Sequence, residues 1–546
     1  MKLRYIALAL VCVSWLCGQE APLFPRPSYF KKMLSTPTGR VELQPPVRLA
    51  DAVVDGKVTL SLRTYLELAM ANNTDIAVQK LSVETWRYAV TAAFGKFDPT
   101  LLASFSKTAQ AQPSTDQLAG AAISKTTSLP VSVTYNQLGS TGMQYSVGYL
   151  GSKATSNSSF STWNPSMGSQ LQFRMSQPLM RGRGSYITHL PITIARANLR
   201  LNQLGVENQI LTLIQNAENA YWDVVGARET LKVNEEALAL SDQSLKRSQR
   251  ELELGALVPL DIYQPQADYA SAQIAVTQQR FRLAQMEDAL RKQIGADLDP
   301  KFRNVPIVLT EAITPPDSTT AYDREDLVQK ALAKRQDLLS ARVGLQADDL
   351  GITQATDQLR PNVSLTGSYL SSGRGGDAFA RTGLLGADQN ITMIPGGFWD
   401  ALSGMWTFNT TTWMFGLNVT LPLRDRAGQA GMATALVKKK SDSLALRSLE
   451  QGVRLNVLTA ISQVEASRES VKLAGVRRDL AQKQLDATKL EYDLGTTTMY
   501  FVLDAQTKLT TAESSVVNEM INSRRNELNL LRVTGQLLEE RGIAVQ

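Results

Sequence analysis

Cysteine and histidine are nearly missing from this chain. Of 546 residues, two are cysteine, Cys12 and Cys17, and one is histidine, His189. Both cysteines lie in an N-terminal stretch where Lys2 and Arg4 precede an apolar run from Ile6 to Leu16, followed by Cys17-Gly18-Gln19. Basic, then apolar, then small is the order of a signal peptide, expected here at 1–18 with cleavage near Gly18, which makes the protein an exported one. Cleavage would leave a mature chain without thiols, so neither a disulfide framework nor cysteine chemistry is expected. Lipid attachment at Cys17 is the other reading, against which Ser14-Trp15-Leu16 lacks the small residues that precede such a site. One histidine cannot build a metal cluster, so His189 is expected to be a bystander near the start of a helix, and no metal or cofactor is expected.

Other absences narrow the function further. No Gly-rich loop precedes a Lys-Ser or Lys-Thr pair, and no histidine or cysteine constellation survives signal removal, so an enzyme is not expected. The net charge of +6 is mild, with Lys and Arg interspersed among Asp and Glu; a nucleic-acid partner would need a clustered basic stripe. The run Ile6 to Leu16 is too short to span a bilayer. With 43% hydrophobic and 20% charged residues, the chain is able to bury a large core or to divide among domains.

What the chain does have is a repeated turn. Glu253-Leu254-Gly255-Ala256-Leu257-Val258-Pro259-Leu260-Asp261 is echoed by Asp493-Leu494-Gly495-Thr496-Thr497-Thr498-Met499-Tyr500-Phe501. Gly295 and Gly535 follow forty positions after Gly255 and Gly495, so both pairs are offset by 240. Such register points to an internal duplication. A seven-residue lane leads into each turn: Ile210, Ala217, Val224, Leu231, Leu238, Leu245 and Leu252 in the first copy, with Ile214 and Tyr221 beside it. Val457, Val464, Val471, Arg478, Leu485 and Tyr492 form it in the second, with Arg478 the polar intruder. A heptad lane held over roughly sixty residues, or roughly 90 Å, implies supercoiling against a neighbouring helix.

Strand chemistry lies upstream of each long helix. Pro99 to Ser106, Val131 to Tyr135, Gln144 to Tyr149 and Gln170 to Ser176 alternate apolar with small or polar residues, and Arg360 to Tyr369 and Phe415 to Leu423 parallel them in the second copy. Gln110 to Ala121, Lys153 to Gly168 and the Gly-rich stretch from about Ser371 to Thr410 are expected to be loops. The resulting plan has a Pro-rich extension at 19–59, draped and not a domain, and a first repeat at 60–295. That repeat holds strands within 100–178, a long helix at 190–252 and a return helix at 259–294. A linker at 296–325 leads to a second repeat at 326–537, with strands at 361–370 and 413–421, a long helix at 430–494 and a return helix at 499–534. A tail, 538–546, follows. Asn72-Asn73-Thr74-Asp75 is expected to break one helix and cap the next. Four strands match between the copies, too few to close a membrane barrel alone, which points to an oligomer. Val131 to Tyr135 and Gln144 to Tyr149 are extra, forming either an extracellular hairpin or more of the wall.

Leu-Arg-Pro-Asn-Val-Ser-Leu (359–365), Ser-Gln-Pro-Leu-Met-Arg-Gly (176–182), Ala-Tyr-Trp-Asp-Val-Val (220–225), Leu-Gly-Ala-Leu-Val-Pro-Leu-Asp (254–261) and Asp-Leu-Gly-Thr-Thr-Thr (493–498), in this order and duplicated, resemble the TolC family of outer-membrane efflux and secretion channels. The resemblance implies an α+β membrane protein. It would be a homotrimer in outer-membrane lipid, with a twelve-stranded β-barrel, four strands per protomer, continuing into a long periplasmic α-helical coiled-coil barrel. Its partners would be a periplasmic adaptor (membrane fusion protein) and an inner-membrane RND or ABC transporter, in an efflux pump or a type I secretion system. It also implies a periplasmic tip at the glycine turns, with docking at Leu254, Gly255, Leu494 and Gly495. The pore constriction would be at Asp504 with Phe501, where the family's pattern has a second acid. Tyr492 and Asp261 match residues that help tie the hairpins closed, and Thr497 replaces a basic one. A periplasmic coiled-coil adaptor is the alternative; the duplicated hairpins and amphipathic strands argue against it. The cargo is not legible.

Overall fold

The computed structural model describes residues 46–114, 120–159, 161–255, 258–314, 322–382 and 390–543. The expected signal peptide, Cys17, most of the Pro-rich extension and Pro315-Pro316 of the linker lie outside these residues. In chain order the elements are a 3-10 turn (Leu49–Ala52), β1 (Val53–Val54), β2 (Lys57–Leu60), α1 (Leu62–Asn72), α2 (Thr74–Phe94), β3 (Thr100–Phe105), β4 (Thr108–Pro113), β5 (Ile123–Leu138), β6 (Gln144–Ser156), β7 (Trp163–Pro178), α3 (Ser185–Glu253) and α4 (Tyr263–Gln293). There follow β8 (Ile307–Leu309), α5 (Arg324–Lys334), α6 (Gln336–Gln358), β9 (Asn362–Thr382), β10 (Asn390–Ile394), α7 (Phe398–Trp406), β11 (Thr411–Thr420), α8 (Arg426–Asp493), α9 (Met499–Val533) and α10 (Leu537–Glu540). Two compact units result: one takes its described residues from 91–193 and 350–434, the other from 46–90, 194–349 and 435–543.

The first unit is a β-unit. Its eight strands form one antiparallel sheet, ordered β10-β9-β7-β6-β5-β3, with β11 also on β9 and β4 also on β5. β3 and β4 lie end to end along β5, and β10 and β11 end to end along β9, so the sheet has six lanes. β5 and β6 pair along Thr126–Leu138 and sit between β3 and β7. The two extra strand candidates are therefore interior strands of this sheet, and the expectation of four strands per protomer is corrected to six lanes. Three expected loops are corrected with it. β4 occupies part of Gln110 to Ala121, β6 and β7 run into Lys153 to Gly168, and the Gly-rich stretch carries the end of β9, β10 and α7. Ser, Thr and Gly read as loop residues there, but a two-sided strand with one small-residue face uses the same composition.

The second unit is helical and repeats its layout. α1 and α5 have eleven residues each, and each is followed after one residue, Asn73 or Arg335, by a longer helix. Asn73 caps α2 as expected, its Oδ1 accepting from the N–H groups of Asp75 at 2.8 Å and Ile76 at 3.3 Å. β2 pairs in parallel with β8, and β1 with β2, forming a three-stranded sheet. The end of the Pro-rich extension is thus built into a core, a correction to draped chain, and the described part of the linker packs there too. Leu49, Leu60, Tyr65, Ile210, Tyr221 and Leu290 are buried there, and Tyr221 donates its hydroxyl to the Leu60 carbonyl at 3.2 Å. The expected tail also joins it: Leu538 and Ile543 pack against this core, and Arg541 pairs with the buried Glu218 through Nε at 2.9 Å.

The heptad lanes supply the seams. Ile210, Ala217 and Val224 are buried, as are Val457, Val464, Val471 and Leu485. Arg478 is exposed and pairs with Asp479 at 2.6 Å, which explains a charge in the lane: the seam is open at that level. Leu485 and Tyr492 pack with Met499, Val502, Leu503 and Leu509 of α9 in a separate cluster.

Candidate functional site: glycine turns and a two-faced sheet

All four glycines of the 240-residue offset adopt the left-handed conformation just after a helix, with φ of 70° at Gly255 and Gly295 and 75° at Gly495 and Gly535. At the second turn the Gly495 N–H donates to Tyr492 O at 2.9 Å and the Thr496 N–H to Glu491 O at 3.0 Å, the double bond of a Schellman cap. The two pairs differ in what surrounds them. A Cβ on Gly255 or Gly495 would meet open space, whereas one on Gly295 or Gly535 would lie 3.3 Å from Asn72 or Lys334. Leu254 and Leu494 are exposed beside their glycines. α4 starts at Tyr263, so Pro259 lies in the turn and does not open the return helix at its expected position.

Tyr492, expected in a latch, bonds across to α3. Its hydroxyl donates to Glu251 Oε2 at 2.5 Å, and the guanidinium of Arg247 sits 4.7 Å from its ring centroid. Arg247 also pairs with Glu251 at 2.9 Å and with Asp493 at 2.8 Å. Burial, then the Glu251 bond, push the Tyr492 pKa up to about 12. The hydrogen bond to Glu251 raises that of Arg247. Asp261, the other expected latch residue, is exposed, its N–H bonded to Val258 O at 3.0 Å. The structure thus brings Tyr492 to Glu251 and not to Asp261.

Asp504 lies on α9 with its side chain 42% exposed, and Lys508 Nζ sits 2.7 Å from its Oδ2. Phe501, one turn earlier, is exposed and rests edge-on against Tyr500 at 5.5 Å. Reasoning from sequence missed Arg247, Glu251, Asp493 and Lys508. Arg247–Glu251 and Asp504–Lys508 are both four-residue spacings on helices, a signal that was available in the sequence.

The sheet of the β-unit is chemically two-faced. Register puts Leu101, Val133, Tyr149, Leu171, Tyr369 and Trp413 among the residues of one face. Trp413 and Phe415 of this face are each 69% exposed. Ser104, Thr134, Ser146, Gln172, Ser368 and Asn418 belong to the other, which also carries Arg174 and is interrupted by Leu102, Leu150, Leu370 and Met414. Alternation sends successive side chains to opposite faces, so each strand contributes to both. Among the described residues no strand covers the free side of β3 and β4, or of β10 and β11. No described helix is long and apolar enough to cross a membrane.

Residues 327–536 match the family Outer membrane efflux protein, and the resemblance to the TolC family stands. The particular relatives agree: the outer membrane protein TolC of Escherichia coli (strain K12) is 25% identical over 336 residues, covering 60% of this chain and 62% of TolC. The probable efflux pump outer membrane protein TtgC of Pseudomonas putida is 22% identical over 328 residues, covering 60% of each. The chain therefore spans about three fifths of the length of these curated relatives. Among solved structures, a membrane protein from Pseudomonas aeruginosa superposes with a TM-score of 0.63 at 18% identity, covering 92% of this chain and 98% of its own. CusC does so with 0.60 at 16%, covering 88% and 93%. The fold is thus α+β and shared with outer-membrane channels, and outer-membrane location follows from the family and from the names of the relatives.

Proposed function

We propose that this protein is a passive exit duct across the outer membrane, the outer component of a tripartite efflux pump or a type I secretion system. One observation carries this reading: a six-lane antiparallel sheet with one apolar face, one polar face and both edges open. In hydrocarbon each unpaired backbone group costs several kcal/mol, so such a sheet has to close, and edge-to-edge closure with further copies leaves the apolar face to lipid and the polar face to a lumen. A homotrimer gives a wall of eighteen lanes, three times six, a size that leaves a water-filled channel. Exposed apolar residues on the helices favour several copies too. Leu473, Val476 and Leu480 on α8, and Ile274 and Phe281 on α4, recur at helical spacing with nothing over them.

In this reading the chain is two repeats, 60–295 and 326–537, joined by 296–325, and the glycine turns are the periplasmic tip. The open space around Gly255 and Gly495 and the exposed Leu254 and Leu494 suit docking of a periplasmic adaptor, which links the duct to an inner-membrane RND or ABC transporter. Tyr492 with Glu251 and Arg247 ties the hairpins in the resting state, and Asp504 with Phe501 lines the constriction, Asp261 standing at the turn beside it. Because Lys508 neutralises Asp504, the constriction is a ring of ion pairs, a weaker trap for cations than bare carboxylates. The test is fractionation and gel migration: an oligomer of three copies in outer-membrane fractions that falls to monomer on heating supports the duct. A soluble periplasmic monomer sinks it and favours an adaptor.

A further inference from the structure

We propose that α7 is a lipid anchor, lying on the outside of the barrel wall with Trp399 and Trp406 seated at the boundary between acyl chains and headgroups. The inference rests on the duct reading and adds a site to it.

The placement comes from β9. A Cβ on Gly373 would fall 2.0 Å from Ala401 O, and one on Gly375 would fall 2.1 Å from Gly397 O. Ser371 donates its hydroxyl to Met405 O at 2.6 Å. Residues 371, 373 and 375 therefore form the floor of α7. β9 pairs without a break with β11 from Asn362 to Ser371 and with β7 from Ser364 to Gly376, so this floor is on the same face as Val363, Leu365 and Tyr369. α7 lies on the apolar face, and only glycine and serine leave room for its backbone there.

The helix has its own two sides. Ala401 and Met405 are buried against the sheet, whereas Trp399 is 76% exposed and Trp406, seven residues on, 59%. Phe408 joins them, 6.3 Å from Trp406 and 6.4 Å from Tyr369. Asp400 is turned back to the helix start, accepting from the Gly397 N–H at 2.6 Å. Two tryptophans thus point away from protein at the level where the face changes character. Below them on β9 it is apolar through Tyr369; beside the start of α7 stands Asp377, its Oδ1 accepting from the Gly396 N–H at 3.3 Å, before the apolar pair Phe379 and Met393, and Lys153 on β6 is in register with Met167, the partner of Gly375. Tryptophan favours that level in membranes, its ring in the acyl region and its N–H toward water. A second copy joining at the open edges would meet β10 and β11, while α7 rests over β9 and β7, one lane inboard. Lipid is the occupant that this position selects.

The full chain is to be reconstituted in phosphatidylcholine vesicles brominated either high on the acyl chain or near its end. The α7 signal is the difference in tryptophan emission between wild type and the Trp399→Phe/Trp406→Phe double variant. Quenching about twofold stronger by the shallow bromines is expected. No quenching by either, or stronger quenching by the deep bromines, overturns the anchor. Trp413 separates the two levels of argument: its emission, read from Trp413→Phe, must be bromine-sensitive if the sheet is a barrel wall. Loss at Trp413 as well removes the duct reading, and loss at α7 alone removes only the anchor. Should α7 be unquenched and Trp399→Ala/Trp406→Ala dissociate the oligomer, a second copy covers it and the proposal is wrong.

Discussion

At the end of α8 a phenol holds two long helices together, and its chemistry sets a pH window. Burial, and next the hydrogen bond its hydroxyl donates to Glu251, push the Tyr492 pKa up to about 12 from an ordinary 10.0. The folded state favours the neutral form, so this contribution is complete below pH 10 and disappears as pH rises through about 12. Solvent near the group limits it to about 1 kcal/mol. Ultraviolet titration of wild type minus Tyr492→Phe should show one tyrosine with a midpoint near the upper value. A midpoint at 10 would mean that neither the burial nor the Glu251 bond holds in solution. The Asp504–Lys508 pair makes a second residue-scale prediction. If Asp504 lines a pore made by three copies, Lys508→Ala bares three carboxylates, so single-channel conductance in planar bilayers should become more cation-selective and more readily blocked by divalent cations, while Asp504→Ala should reverse the sign of that change. Indifference of conductance to both substitutions removes the pair from the pore.

Single helices and strands show how far local pattern reaches. The long helices were legible because a heptad lane and a terminal glycine are both local signals, and Gly255 and Gly495 end α3 and α8 as expected. The sheet of β1, β2 and β8 was not, because strands of two to four residues carry no measurable alternation and are held by a parallel partner some 250 positions away, as Leu60 is by Leu309. α7 was missed for a related reason. Gly373 and Gly375 looked like loop punctuation, and only the helix that folds back over them reveals a packing role. Of the site, the turns and the aromatic Tyr492 were readable, but its partner was not, since Glu251 and Asp261 are equally plausible acids until the helices are registered. The glycine caps also divide by environment. Gly495→Ala meets open space and should cost about 1 kcal/mol from the left-handed backbone alone. Gly535→Ala adds contact at 3.3 Å with Lys334 Cβ and at 3.4 Å with its carbonyl carbon, and should cost clearly more in denaturant unfolding. Equal costs would show that the Lys334 end gives way freely.

For the whole molecule the open question of assembly reduces to which strands meet. β3 and β11 are the free lanes at the helix-connected end of the sheet, one following α2 and the other leading into α8, so they run in opposite directions and suit antiparallel pairing between copies. The mature chain is expected to hold no cysteine, which makes disulfide mapping clean. Ser104→Cys on the polar face of β3 is to be combined in turn with Thr412→Cys, Met414→Cys and Gly416→Cys on the same face of β11. Only a pair with Cα atoms about 4.4–6.8 Å apart can close, so one register of the series should link and its neighbours should not. If three copies complete the wall, the linked variant runs on a denaturing, non-reducing gel as a ladder that ends at three protomers and collapses with reductant. A ladder ending at two would mean twelve lanes from a dimer, and a linked monomer would mean that one sheet closes on itself. No link at any register would show that the edges do not meet, and with them would go the duct, since an apolar face of this width has no other way to leave its edges satisfied in lipid.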